Sequence, residues 1–461
     1  MKDFTSLYFV GAGGIGMAAL ERYFLSKGKR VAGYDRTPSE LTAALVAEGA
    51  EIVFDEDPSL IPDYCRDPET TLVVYTPAVP AEHRGLCYFR ENGFEVVKRA
   101  RLLGEVTRAS QSLCFAGTHG KTTTSSMAAH ILQSSGMGCN AFLGGVLRNY
   151  GSNFLLSATS PYSVIEADEF DRSFHQLTPF IAVVTSTDPD HLDIYGDEEH
   201  YLESFAHFTS LIRPGGALIK HTGLKLRERV AEGVRVYTYS AEGPADFHAE
   251  HVVKGDGTIR FDFVTPWETI TDISLGVPVD INIDNAVAAM AACRLVDAPA
   301  EAMREAMATF QGAKRRFEFW LKEPGPGGRV MIDDYAHHPD ELRASIESVK
   351  ALYPGRRLTV VFQPHLYTRT RDFAPEFASA LSLAPEVILL PIYPARELPI
   401  PGVESEIILR DITSEKKAVY TKEKLLNSIK SSNFEVLLTA GAGDIAELLP
   451  AIRDEYKKQE R

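Results

Sequence analysis

Short apolar runs, each closed by a glycine-rich or polar turn and followed by a helical pattern, recur along this chain. That alternation constrains the fold more than any other feature. Consecutive strands separated by helices point to parallel sheets of the α/β class, with ligands held at the carboxyl ends of the strands. The first series has strands at Leu7–Val10, Arg30–Tyr34, Leu72–Tyr75 and Glu95–Val97, with a helix over Ile15–Lys27. The second has strands at Ser112–Ala116, Tyr162–Glu166 and Phe180–Thr185 and a helix opening at Lys121. Short β segments over 234–275 and helices at Ile283–Leu295 and Ala300–Thr309 follow. The third has strands at Arg329–Ile332, Leu358–Phe362, Val387–Leu390 and Val436–Thr439. A chain of 461 residues exceeds what one core usually organises, and the three series divide it into domains 1–104, 105–313 and 314–461. Gly104 and Gly312, at the joints, suit hinges.

The balance of charge limits the partners. A formal charge of −15 and a pI near 5.4 repel nucleic acid and anionic membranes. Anionic ligands must then be held by helix N-termini, backbone amides, metal ions or isolated basic side chains. Five cysteines without a CxxC spacing fit buried thiols in a reducing compartment rather than a disulfide framework or a zinc ribbon. The start reads as a strand entering a turn, not a signal peptide, and no apolar stretch is long enough to span a bilayer, so a cytoplasmic protein is expected.

Two glycine-rich loops carry the clearest chemistry. Gly11-Ala12-Gly13-Gly14-Ile15-Gly16 is a G-x-G-x-x-G between a strand and a helix, where backbone amides can approach a pyrophosphate. Asp35 ends the next strand, in place for a ribose hydroxyl. The loop alone does not select a nucleotide, and NAD is the usual one. The second loop is Gly117-Thr118-His119-Gly120-Lys121-Thr122-Thr123. It ends as a phosphate loop does, with Lys121 for the β/γ-phosphates and the Thr122 hydroxyl for Mg2+. The strict pattern has glycine where Phe115 stands.

Four further clusters fall after strands: Glu166-Ala167-Asp168-Glu169, Thr187 to Asp193 with His191, Asp333 to Pro339, and Gln363 to Arg371. Beside a phosphate loop, Glu166 and His191 fit ligands of the divalent ions that accompany ATP. Each acidic run alone would pass for a solvated loop. Turns dense in His, Tyr, Asp and Arg are functional candidates, although polar loops also cap scaffolds of this class.

Together GAGGIGM, GTHGKTTT, EADEFDRSF, DPDHLD, DINIDNAVAA, RRFE, DDYAHHP, FQPHLYTRT, PIPG and GAGD resemble, in order and over the whole chain, the Mur ligase family of ATP-dependent amino-acid ligases, and most closely its alanine-adding branch. The resemblance implies a Rossmann-like N-terminal domain for a UDP-sugar, a central P-loop-type ATPase domain with a mainly parallel sheet, and a Rossmann-like C-terminal domain for the amino acid. It implies UDP rather than NAD at Gly11, Gly13, Gly14, Ile15, Gly16 and Met17, with Asp35, Thr76 and Arg99 nearby. Gly117, Thr118, His119, Gly120, Lys121, Thr122 and Thr123 would hold ATP phosphates, Thr122 and Glu166 one Mg2+ and His191 a second. Asn282 and Asn285 would face adenine, Arg315 or, preferably, Arg316 the phosphates, and Asp334 the ribose; Tyr335, His337, His365 and Arg369 would line the amino-acid pocket. The chain departs from the family pattern at Ser186, Ile281 and Leu366.

The implied reaction joins L-alanine to the lactyl carboxylate of UDP-N-acetylmuramate in peptidoglycan precursor synthesis. ATP first converts the carboxylate into an acyl phosphate, stabilised in transfer by Lys121, and the amine then displaces phosphate. His337 is the candidate proton acceptor. These small molecules are the expected partners of a monomer or weak homodimer. Within the class, the alternative is a muropeptide-recycling ligase adding L-Ala-D-Glu-meso-diaminopimelate. A dehydrogenase would leave Lys121 and Thr122 idle, and a phosphate-loop ATPase acting on a protein would leave two α/β blocks unexplained.

Overall fold

The computed structural model describes residues 4–458 apart from 77, 78, 191, 256, 324, 326, 396, 432 and 433. Three sheets organise them. In the first, the strands lie in the order Glu51–Val53, Arg30–Tyr34, Ser6–Val10, Thr71–Tyr75, Glu95–Lys98 and all pair in parallel. Chain order reverses beside Ser6–Val10, so the glycine loop that follows this strand opens at the switch point where open α/β sheets bind nucleotides.

The second sheet has ten strands: Thr269–Ser274, Thr258–Val264, Phe247–Gly255, Arg235–Ser240, Ala217–His221, Ile181–Val184, Gln111–Ala116, Tyr162–Glu166, Asn140–Leu147 and Ser152–Leu155. From Arg235–Ser240 to Asn140–Leu147 the pairing is parallel, and Ser152–Leu155 closes the edge antiparallel. Its middle strands are sealed on both faces: Ile181–Val184 is buried throughout, as is all but the first residue of Gln111–Ala116. That burial explains their continuous apolar sequences. The segments that open at Gly117, Ala167 and Thr185 are brought together here, because Gln111–Ala116, Tyr162–Glu166 and Ile181–Val184 are adjacent and end together.

The third sheet runs Glu318–Lys322, Val330–Asp334, Val436–Ala440, Leu358–Phe362, Glu386–Leu389, Lys416–Val419. Only its first pair is antiparallel. Its core gathers Met331, Val361, Ile388, Leu437 and Ile445.

The chain divides into two compact units. One comprises Met1–Glu250, Phe263–Thr271 and Asp284–Met307, and the other His251–Asp262, Asp272–Ile283 and Ala308–Arg461. Within the first unit one apolar cluster runs from the first sheet into the second, joining Leu7, Phe9 and Leu72 to Phe142, Ile165 and Val184. The Tyr23 and Phe142 rings meet edge-on with centroids 5.6 Å apart. The connection is a helix, Arg99–Arg108, and Gly104 lies in its middle, buried. A Cβ at Gly104 would stand 2.2 Å from the carbonyl oxygen of Gln176. This glycine therefore serves close packing between backbones rather than the bending expected of a hinge. Gly312 does adopt a left-handed conformation, with φ of +78°.

All five cysteines are free, four of them buried. Among the described residues, no helix is long and apolar enough to cross a membrane.

Candidate active site

At the first sheet the glycine loop is folded onto the side chains that sequence placed near it. Gly11 has φ of +95°, and a Cβ there would press on the Thr76 methyl at 2.8 Å. The Gly13 amide donates to Asp35 Oδ2 at 2.6 Å, so the carboxylate closes the loop from within. A Cβ on Gly16 would fall 2.0 Å from a guanidinium nitrogen of Arg99. Glycine at this position thus makes room for an arginine from the end of the same sheet. Arg99 also lies 3.8 Å from Asp168, and together they line a cavity with Glu166, Ser173 and Phe174. Gly14 and Ile15 are exposed, whereas Met17 is 2% exposed and packs into the core, supporting the loop from below.

The second loop is built by its neighbours. Gly117 has φ of +144° and Gly120 +83°, conformations that glycine alone adopts readily. The strand end beside the loop braces it: the His119 amide donates to Ser186 Oγ at 2.8 Å, and Thr118 N–H to the Ser186 carbonyl at 3.3 Å. Ser186, a departure from the family pattern, thus has a defined role as a loop brace. The Thr118 hydroxyl donates to the Asp188 carbonyl at 2.6 Å. The helix Lys121–Ser134 leaves directly from Gly120, with no side-chain cap on its first amides. Those amides and the helix dipole favour an anion there.

The Thr122 hydroxyl donates to Glu166 Oε1 at 2.8 Å, and the other Glu166 oxygen accepts the Gly144 amide at 2.8 Å. Gly144 was not singled out in the sequence; any side chain there would collide with the Glu166 carboxylate 2.5 Å away. One hydroxyl and one carboxylate in contact beside a phosphate loop suit Mg2+, which takes few protein oxygens and fills its shell with phosphate and water. His191 lies outside the described residues. Asn285 Oδ1 accepts from the Thr124 hydroxyl at 3.0 Å, and a Cβ on Gly120 would meet it at 2.8 Å. Asn282 is buried and donates to the Val277 carbonyl at 3.0 Å. Ile281, at the start of their helix, is 60% exposed.

In the second unit, the two arginines of the Arg315-Arg316 pair differ in employment. Arg315 is consumed by the fold: its guanidinium contacts Asp333 Oδ2 at 3.3 Å and donates to the Gly443 carbonyl at 3.2 Å and to that of Gly441. Arg316 is exposed, its guanidinium 5.8 Å from the Tyr335 ring centroid. Asp334 accepts from the Ser345 hydroxyl, and burial raises its pKa.

The loops after Val330–Asp334 and Leu358–Phe362 bring His337 and His365 to a centroid separation of 6.2 Å. Tyr335 lies 5.1 Å from His337, and Tyr393, absent from the sequence-based set, stacks on His365 at 5.8 Å. Burial lowers the pKa of both histidines, and the positive charge of Arg369 lowers them further. His337 Nδ1 sits 2.9 Å from the Tyr335 carbonyl, which fixes the proton on Nδ1 and leaves the Nε2 lone pair available. Arg369 Nη1 and His365 Nδ1 are buried and make no hydrogen bond to another described residue; an unused guanidinium donor of this kind suits a carboxylate. Leu366, between them in sequence, has φ of +69°. Its amide donates to the Tyr393 carbonyl at 2.9 Å and its carbonyl accepts from Thr370, so the strained backbone is clamped on both sides.

Comparison with known proteins gives the family of the chain. Residues 6–111 match the Mur ligase family catalytic domain, 115–293 the Mur ligase middle domain, and 315–443 the Mur ligase glutamate ligase domain. The chain is 58% identical over 457 residues to the UDP-N-acetylmuramate–L-alanine ligase of Parabacteroides distasonis, covering 99% of this chain and 98% of that protein. It is 58% identical to the ligase of the same name from Phocaeicola vulgatus, covering 98% of each. Among solved structures, it resembles the UDP-N-acetylmuramate-alanine ligase of Thermotoga maritima with a TM-score of 0.79 at 25% identity, covering 98% of this chain and 99% of that one. The fold also matches a murein peptide ligase from Psychrobacter arcticus, with a TM-score of 0.62 at 20% identity, covering 98% and 99%. The chain belongs to the Mur ligase family.

Proposed function

We propose that this enzyme joins L-alanine to the lactyl carboxylate of UDP-N-acetylmuramate, with ATP cleaved to ADP and phosphate. The observation that carries the reading is the 58% identity, over nearly the full chain, to ligases of that name. The geometry supports the same chemistry. A carboxylate resists an amine because its charge repels attack and its leaving group is poor. Phosphorylation supplies a good leaving group. Lys121, with the helix N-terminus behind it, offsets the charge that spreads over the transferred phosphoryl group. Thr122 and Glu166 are the residues that would hold Mg2+, which supplies further charge neutralisation between the phosphates.

Gly11 to Gly16 with Asp35, Thr76 and Arg99 receive the UDP-sugar. Arg99, reaching from the glycine loop toward Asp168 and Glu166, is the side chain best placed to orient the acid end of that substrate. Asn282, Asn285, Arg316 and Asp334 serve ATP. Arg369 takes the carboxylate of alanine through its unused donor, His365 and Tyr335 wall the pocket, and neutral His337 accepts the proton that the amine loses. Domains 1–104, 105–313 and 314–461 divide these tasks. The protein works in the cytoplasm, as a monomer or weak dimer.

The test is phosphate release from ATP with UDP-N-acetylmuramate and Mg2+, comparing L-alanine, glycine, L-serine, D-glutamate and L-Ala-D-Glu-meso-diaminopimelate. Turnover with L-alanine and a product heavier by one alanyl residue is expected. Turnover with the tripeptide alone would move the protein to the recycling branch, and no amine-dependent turnover would overturn the ligase reading.

A further inference from the structure

The ammonium of Lys121 is fully employed by the chain itself. It donates to the Gly117 carbonyl at 2.5 Å, to the Thr118 carbonyl at 3.3 Å, and to Glu169 Oε1 at 2.9 Å. The second Glu169 oxygen lies 2.8 Å away. A lysine ammonium has three donors and no more, so a phosphate oxygen reaching it must displace one of these acceptors. Two are backbone carbonyls of the loop itself. The third is a carboxylate of the phosphate's own charge sign, and Glu169 is 2% exposed.

The backbone that carries this carboxylate is held in place. The Glu169 carbonyl accepts from the Tyr195 hydroxyl at 2.5 Å and from the Arg172 amide at 3.0 Å. The next turn is pinned by Asp171 and Arg172 at φ of 51° and 54°. Burial raises the Glu169 pKa, and the Lys121 charge opposes that rise. Drawing the ammonium toward phosphate therefore strips a buried carboxylate of the partner that offsets its desolvation.

We propose that Glu169 is a positioning residue that holds the Lys121 ammonium in the loop and competes with the phosphates of ATP for it. Nucleotide binding is then an exchange of one anion for another around Lys121. The carboxylate keeps the lysine aimed and lowers the affinity for ATP and ADP alike. The inference rests on the phosphate-loop reading of Gly117 to Thr123.

Glu169→Gln keeps the shape and removes the charge. Isothermal titration should show ATP and ADP binding about tenfold tighter than to the natural protein, the scale of one charge-assisted hydrogen bond. Affinity for UDP-N-acetylmuramate should stay unchanged. A merely structural tie would give the opposite sign, since loosening the loop weakens nucleotide binding. In a Lys121→Met background Glu169→Gln should have no effect on ATP affinity. Unchanged or weaker ATP binding by folded Glu169→Gln, or equal effects in both backgrounds, would overturn the proposal. Should Glu169→Gln not fold, Glu169→Asp, whose charge is withdrawn by one methylene, should tighten ATP binding by a smaller factor, and no tightening would count against it. If the natural protein bound no ATP at all, the phosphate-loop reading itself would fall.

Discussion

His337 shows how far a single side chain's surroundings define its chemistry. Its Nδ1 faces the Tyr335 carbonyl, its amide donates to Glu341 at 3.0 Å, and burial lowers its pKa despite that nearby carboxylate. A histidine with a lowered pKa stays neutral, and so basic, until the pH falls below its ordinary range. Activity should therefore hold above pH 6.5, the ordinary histidine value, and fall as the pH drops through the lowered one. His337→Asn should cut kcat by a factor on the order of 10² to 10⁴, the usual contribution of a general base, and erase that acidic limb. A pH–rate profile at saturating L-alanine checks this, and an unaltered acidic limb would remove His337 from the role. At this scale the sequence was legible where residue type dictates backbone geometry, as at Gly120, whose φ of +83° opens the helix at Lys121. It was not legible where identical residues differ only in surroundings: nothing in Arg315-Arg316 says that the first is consumed by Asp333, Gly441 and Gly443. Nor does the sequence reveal that Leu366 takes a positive φ, because no glycine marks the turn.

Strands and helices were the most legible level. Arg30–Tyr34, Tyr162–Glu166, Leu358–Phe362 and Ala300–Thr309 fall where the pattern puts them, because buried parallel strands need unbroken apolar runs and bounded turns. The misses have physical reasons. Asn140–Leu147 carries a Gly-Gly pair that interrupts its apolar run, and the first of the two, Gly144, is where the Glu166 carboxylate approaches the backbone. Glu51–Val53 is three residues long, and Lys416–Val419 is an edge strand opened by two lysines. Helix Arg99–Arg108 gives a sharper test. In an ordinary helix interior, replacing glycine by alanine stabilises by about 0.5–1 kcal/mol. At Gly104 the added carbon meets the Gln176 carbonyl oxygen at 2.2 Å, backbone that cannot swing away. Gly104→Ala should instead destabilise by about 1–3 kcal/mol, as overpacking does, and lower the midpoint of a thermal melt. A raised midpoint would show that the two backbones can separate at little cost.

Across the whole molecule, two ligand sites are assigned to two different sheets of one compact unit, and this sets what a single substitution can reach. The glycine loop with Asp35 and Thr76 closes the first sheet, whereas Lys121 leaves the second, in contact with Gly117, Thr118 and Glu169. The two are linked through the shared apolar cluster, through Asn153 Nδ2, which donates to the Ile15 carbonyl at 3.0 Å, and through two ion pairs, Arg99 with Asp168 at 3.8 Å and Lys98 with Asp171 at 2.7 Å; none of these contacts includes Lys121. Both pairs are partly exposed, and such pairs couple weakly. Sites without shared partners respond independently to within about 0.5 kcal/mol. Lys121→Ala should therefore abolish ATP-dependent ligation while the dissociation constant for UDP-N-acetylmuramate, measured by isothermal titration without nucleotide, moves by no more than about twofold, the equivalent of that margin. Arg99→Ala should do what Lys121→Ala does not, weakening UDP-N-acetylmuramate binding directly, because its guanidinium lies on Gly16. If Lys121→Ala lost both ligation and UDP-substrate binding while remaining folded, the two sheets would not be separate ligand modules, and the assignment of one substrate to each would fail.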